Sequence, residues 1–198
     1  MTYCVAWKKD DKVFLIADSV ISSFENNADS EVSSFGEKQG LYNSYYVHES
    51  TLKIIKINES MAICYSGDKK NAEDAIDSIF LLSKYYSVEQ ILDNLKSNYE
   101  YGSSSFELII LCYENENKIY YFKGNKYSLI EEFIDIGSGK DIPNLSESLK
   151  SFIYGNYKLS NESGYHLASV VAYIQCISKK NCFYNYGVGG AFFWTIYR

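Results

Sequence analysis

The chain has 198 residues, 46% of them hydrophobic and 22% charged, with one proline and a formal net charge of −6. That length suits one domain with a sizeable core, and the acidic balance argues against nucleic acid as the main partner. No apolar run reaches the roughly 18 residues of a membrane span, so neither a membrane nor a nucleic-acid function is expected.

Two apolar runs, 3–8 and 12–18, are joined by Lys9-Asp10-Asp11 and predict a hairpin. Residues 22–50 are polar, rich in Ser, Asn and Glu, and end in a tyrosine patch; they are expected to form a mobile loop insertion in a single 1–198 domain. KIIKI (53–57) and MAICYS (61–66) predict a second strand pair. Ala72, Ala75, Ile76, Ile79 and Phe80 then recur at helical spacing. Val88, Ile91, Leu92 and Leu95 do the same behind a capping box at Ser87 and Gln90.

Strands are predicted again at 106–113, 117–123 and 132–136, helices at 144–154 and 162–177, and a last strand in GAFFWTIYR. Runs such as VFLIA and LIILC suit sheets covered on both faces. The order of elements therefore predicts an α+β, four-layer αββα sandwich: two stacked antiparallel sheets flanked by helix pairs.

Several motifs are excluded by their context. Gly137-Ser138-Gly139-Lys140 lacks the first glycine and the final Ser/Thr of a P-loop, with Ile134 and Asp141 in those places. Gly187-Val188-Gly189-Gly190 is followed by too few residues for a dinucleotide-binding unit. Both read as tight turns. With only His48 and His166, and five scattered cysteines (Cys4, Cys64, Cys112, Cys176, Cys182), no metal site or cofactor is expected. The odd cysteine count and the lack of a signal-sequence pattern point to buried thiols in a reducing compartment, so the expected location is cytoplasmic. The sequons at Asn58, Asn144 and Asn161 are then chance matches.

Thr2 has a different standing. A small second residue permits removal of Met1, and the freed α-amine has a pKa of about 7.7–8.0. A hydroxyl nucleophile and its base would then share one amino acid. The opening MTYCVA, the Ala17-Asp18-Ser19 motif, Lys53 followed by Ser66-Gly67, and Gly137-Ser138-Gly139 together match a spacing pattern. In these features the chain resembles the proteasome β-subunit family of N-terminal-nucleophile (Ntn) hydrolases, including the bacterial HslV and Anbu types. The resemblance covers nearly everything outside residues 22–50.

What it implies follows residue by residue. Thr2 would be the nucleophile, Lys53 an ammonium beside it, and Asp18 the group that holds that lysine; Lys56 is the other lysine that could take this place. The N–H of Gly67 would face the oxyanion, and Ser138 would hydrogen-bond near the Thr2 amine. Ile21, Ile55 and Tyr65 would line a narrow pocket favouring small side chains. The partners implied are a peptide or protein substrate, further copies of the chain in a ring or related assembly, and an ATP-dependent unfoldase.

The pattern also breaks. The family's late aspartate and serine are met by Asn185 and Val188, and no carboxylate side chain follows Glu162. A threonine-type peptidase or amidohydrolase is the expected function; the alternatives are a catalytically silent assembly subunit and a small-amide hydrolase on the same fold.

Overall fold

The computed structural model describes residues 2–25, 31–42, 44–49, 52–99, 105–155 and 163–197. In chain order the strands and helices are β1 (Tyr3–Lys9), β2 (Lys12–Asp18), β3 (Val20–Ser23), β4 (Gly40–Tyr42), β5 (Tyr45–Glu49), β6 (Ile54–Asn58), β7 (Met61–Gly67), α1 (Lys69–Leu82), α2 (Val88–Asn98), β8 (Phe106–Tyr113), β9 (Asn117–Lys123), β10 (Lys126–Ile130), β11 (Phe133–Gly137), α3 (Leu145–Tyr154), α4 (Ser163–Lys180) and β12 (Phe192–Tyr197). Short 3₁₀ turns at Ser138–Asp141 and Phe183–Tyr186 precede α3 and β12.

Three antiparallel sheets form among the described residues, ordered β11-β1-β2-β12, β10-β9-β8-β7-β6 and β3-β5-β4. The first two stack through a thin layer of small and branched side chains, including Cys4, Ala6, Ala17, Ala62 and Cys64. Alternation along β1 explains the layering: Cys4 and Ala6 face the other sheet, while Tyr3, Val5 and Trp7 face the α3/α4 side. Helices α1 and α2 cover the five-stranded sheet through Ala72, Ile76, Ile79, Ile91, Leu92 and Leu95. Helix α2 starts from the capping box at Ser87 and Gln90 that the sequence announces. Four layers result, in the order helices, sheet, sheet, helices, as the apolar runs predict.

The polar stretch differs from its expected form. Within 22–50, the described parts of 40–49 carry β4 and β5, and β5 pairs with β3 in the register Val20↔Glu49 to Ser23↔Tyr46. Val20 and Val47 pack with Tyr184 in a small core of their own. So the segment expected to be a mobile loop carries two strands and the end of a third, joined in one small sheet. Residues 26–30, which belonged to the same expectation, lie outside the described residues. Strand β10 was also not expected; KYSLI has an uneven, mostly exposed pattern and forms through its ladder with β9.

Candidate active site

Thr2 immediately precedes β1 and is 5% exposed. Strand β1 pairs with β11 on one side and β2 on the other, which places Tyr3 opposite Gly137. The Thr2 N–H donates to Ser138 Oγ at 3.4 Å, and the Ser138 hydroxyl donates to the Thr2 carbonyl at 3.2 Å. Gly137 makes this approach sterically feasible: its φ is +88°, and a Cβ there would lie 2.0 Å from the Thr2 carbonyl oxygen.

Asp18 ends β2 and has no exposed surface. Its Oδ1 accepts from the Tyr3 N–H at 3.0 Å and from Lys53 Nζ at 2.6 Å, and its Oδ2 accepts from the Gly189 N–H at 3.3 Å. Lys53, just before β6, is 1% exposed and also donates to the Val20 carbonyl. Burial pushes the Asp18 pKa up, opposed by the Lys53 ammonium and by the two backbone N–H groups. Lys56 is exposed and bonded to Glu59 at 2.9 Å, so Lys53 is the lysine that reaches Asp18.

Thr2, Gly67 and Ser138 line one cavity of about 410 Å³, with Glu107, Lys123 and Lys140 on its other walls. Gly67 terminates β7 with φ +92°, where a Cβ would meet the Ser105 carbonyl oxygen at 2.0 Å. Tyr65, two residues earlier, is 5% exposed and packs in the α1/α2 core with Ile55 at its edge. Burial, with Glu73 adding to it, lifts the Tyr65 phenol to about 12. Ile21 lies on β3 opposite His48, in the separate small sheet.

Asn185 and Val188 sit apart from the Thr2 cavity. Asn185 lines a neighbouring cavity of about 440 Å³ that shares Ser138 and Asp141 with the first. Val188 is fully buried in the α3/α4 core, and its carbonyl accepts from Ser178 Oγ at 2.8 Å. A side chain at 188 therefore packs rather than presents a hydroxyl.

Two carboxylates that the sequence reading passed over organise the surroundings. Glu107, on β8 opposite Ser66, bridges both walls of the Thr2 cavity: its Oε2 accepts from Ser66 Oγ at 3.1 Å and from the Gly137 N–H at 3.3 Å. Its Oε1 accepts from Lys123 and Lys140 at 2.8 Å each and from the Tyr121 hydroxyl at 2.9 Å. Burial acts to raise its pKa, but the bonds from Lys123, Lys140 and Tyr121 outweigh it and bring the group to about 2. One signal was available, since Glu107 is the only charged residue in the apolar run FELIILCY.

Glu49, at the end of β5, accepts from Ser19 Oγ at 2.5 Å, from the Ala191 N–H at 2.6 Å and from both the N–H and the hydroxyl of Ser34. Glu37 accepts from the Gly190 N–H at 3.4 Å. The carboxylates that hold the Gly190 and Ala191 N–H groups thus come from the polar segment, where the late chain itself offers none.

This architecture, with α+β content and helix-flanked antiparallel sheets, is that of an Ntn-hydrolase sandwich. No family model matches the chain, and no curated protein matches it by sequence. Among solved structures it is similar to eukaryotic HslV from Trypanosoma brucei, with 12% identity, 98% of each chain covered and a TM-score of 0.64. At that identity the likeness establishes a common fold. No helix among the described residues is long and apolar enough to cross a membrane.

Proposed function

We propose that the chain is a threonine-type peptidase or amidohydrolase that uses Thr2 after removal of Met1. One observation carries this reading: the Tyr3 N–H and Lys53 Nζ share a single buried oxygen of Asp18, which fixes the residue after Thr2 to the lysine, while Thr2 opens onto a cavity with Gly67 and Ser138.

The chemistry that follows is acyl transfer. Thr2 Oγ attacks the carbonyl carbon of a peptide or amide as its proton passes to the α-amine, directly or through water. The oxyanion is met by the N–H of Gly67. The C–N bond then breaks, the leaving amine takes the proton back from the α-ammonium, and an ester on Thr2 remains for water to hydrolyse. The Lys53 ammonium lowers the pKa of the neighbouring amine or hydroxyl through its charge. Ser138, hydrogen-bonded to the Thr2 nitrogen, orients it. Ile21, Ile55 and Tyr65, expected to narrow the pocket, are not among the described residues that line the Thr2 cavity; Tyr65 and Ile55 pack in the α1/α2 core and Ile21 lies in the small sheet.

Assembly belongs to the same proposal. The active form is a homo-oligomer, with a cytoplasmic ATP-dependent unfoldase as the kind of partner such an assembly takes. A catalytically silent assembly subunit is the second reading, favoured by the buried Val188 and by Asn185 lying off the Thr2 cavity.

Hydrolysis of fluorogenic peptides and of simple amides by the mature chain, with Thr2→Ala as control, separates these readings. Turnover abolished by Thr2→Ala supports the hydrolase, and the preferred leaving group distinguishes peptides from small amides. No turnover in a preparation free of Met1 would favour the silent subunit.

A further inference from the structure

Glu107 and its two lysines exceed what is needed to tie β7, β8, β9 and β11 together. Lys123 and Lys140 are each 2.8 Å from the same carboxylate oxygen, so the two ammoniums can be no further apart than twice that distance. Like charges so close repel unless an anion sits between them, and one carboxylate serves both. That carboxylate is already committed: its two oxygens accept five donors, from Lys123, Lys140, Tyr121, Ser66 and the Gly137 N–H. Each lysine spends one of its three donors on Glu107. Their side chains are 56% and 35% exposed, and both line the Thr2 cavity.

The arrangement is preorganised. An unrestrained surface lysine loses rotamer entropy when fixed, whereas here Glu107 already holds both ammonium heads. Since burial is overcome and Glu107 is held near 2, it stays ionised throughout the neutral range and keeps them there. Among the described residues, Asp141 is the one other carboxylate lining the cavity; it is exposed and shared with the neighbouring cavity. Within the Glu107 cluster itself, two positive charges face one negative.

We propose that Lys123 and Lys140 form an anion subsite of the Thr2 cavity, which selects substrates bearing a carboxylate within a residue or two of the scissile amide. The carboxylate is an acidic side chain or the free C-terminus of a short peptide; both would meet the remaining ammonium donors. This rests on the Thr2 hydrolase reading for its role in turnover, but the binding itself does not require the nucleophile.

The test is therefore a binding measurement on the Thr2→Ala protein, which keeps the cavity and cannot consume the ligand. Four labelled tripeptides are titrated by fluorescence anisotropy in low salt: a Glu/Gln pair with an amidated C-terminus, and a neutral pair differing only in carboxylate against carboxamide. At least tenfold tighter binding of one acidic member than of its isostere is expected, and the pair that shows it identifies the source of the carboxylate. The Lys123→Gln and Lys140→Gln variants should bring that member down to the level of its isostere. Lys123→Arg should retain the preference, and so should Lys118→Gln, which alters a lysine bonded to Glu89 elsewhere. Melting temperatures of all variants exclude loss by unfolding.

Equal binding within each pair overturns the subsite, and so does a preference that survives both lysine replacements. The two readings fail separately. If acidic peptides bind preferentially but Thr2 of the unsubstituted chain never forms an acyl adduct, the hydrolase reading falls and the anion subsite stands. Adduct formation without any acidic preference gives the reverse.

Discussion

Replacing Asp18 by Asn perturbs the pair at the centre of the fold and of the site together. Asp18 is fully buried and Lys53 is 1% exposed, with 2.6 Å between Nζ and Oδ1. Neutralising the carboxylate leaves the ammonium with the Val20 carbonyl in a dry layer, and the N–H groups of Tyr3 and Gly189 then compete for the single amide oxygen. Breaking one partner of a buried pair costs about 3–5 kcal/mol. For a chain of this size each kcal/mol lowers Tm by roughly 2–4 °C, so a drop of about 12 °C is expected. Lys53→Met alone should lose a similar amount by leaving the Asp18 carboxylate buried without its cation. The double variant should be markedly less unstable than the sum, with a coupling of about 2–3 kcal/mol, because no uncompensated charge remains. Urea unfolding of the four proteins measures this. Single-variant losses under about 1 kcal/mol, or strictly additive losses in the double variant, would refute the reasoning.

Three further outcomes are expected. Gly137→Ala sets a methyl 2.0 Å from the Thr2 carbonyl oxygen at a φ of +88°; it should cost more than about 2 kcal/mol in urea unfolding and abolish labelling of Thr2. The His166 ring accepts from Trp7 Nε1 at 3.1 Å, and burial, with Lys9 adding to it, lowers its pKa from 6.5 to about 4. The unfolded chain binds that proton first, so this stability is complete above about 6.5 and is lost as pH falls toward 4; His166→Phe should flatten the urea midpoint over that window. Glu107 falls from 4.5 to about 2, so its contribution is present above about 4.5 and is lost between there and 2, a slope that Glu107→Gln should remove.

The sandwich was legible because its strands are covered on both faces. VFLIA and LIILC have no polar face to conceal, and the helices of 69–98 carry both apolar periodicity and a capping box. The small sheet was not legible, since β4 and β5 are tyrosine- and glycine-containing segments without a clean alternation, and their partner β3 straddles the start of the polar stretch. In the site, Thr2, Asp18, Lys53, Gly67 and Ser138 stand out because each belongs to a local motif with a known spacing. Glu107 and Glu49 do not, because their partners are scattered along the chain: Ser66, Lys123, Gly137 and Lys140 for one, Ser19, Ser34 and Ala191 for the other. Such hubs emerge only when β7, β8, β9 and β11 meet, or when β5 is laid against the segment leading into β12. The polar segment reads as spare length in the sequence, yet in three dimensions it supplies carboxylates to the glycine turn whose N–H bonds Asp18.

The most direct test of the central claim is intact mass spectrometry of the purified chain before and after a β-lactone, which acylates a reactive threonine hydroxyl, with N-terminal sequencing of the product. The result expected is loss of Met1, one adduct located on Thr2, no adduct on Thr2→Ala, and a sharply slowed reaction on Lys53→Met. A chain that retains Met1 and still hydrolyses amides, or an adduct that persists in Thr2→Ala, would contradict it.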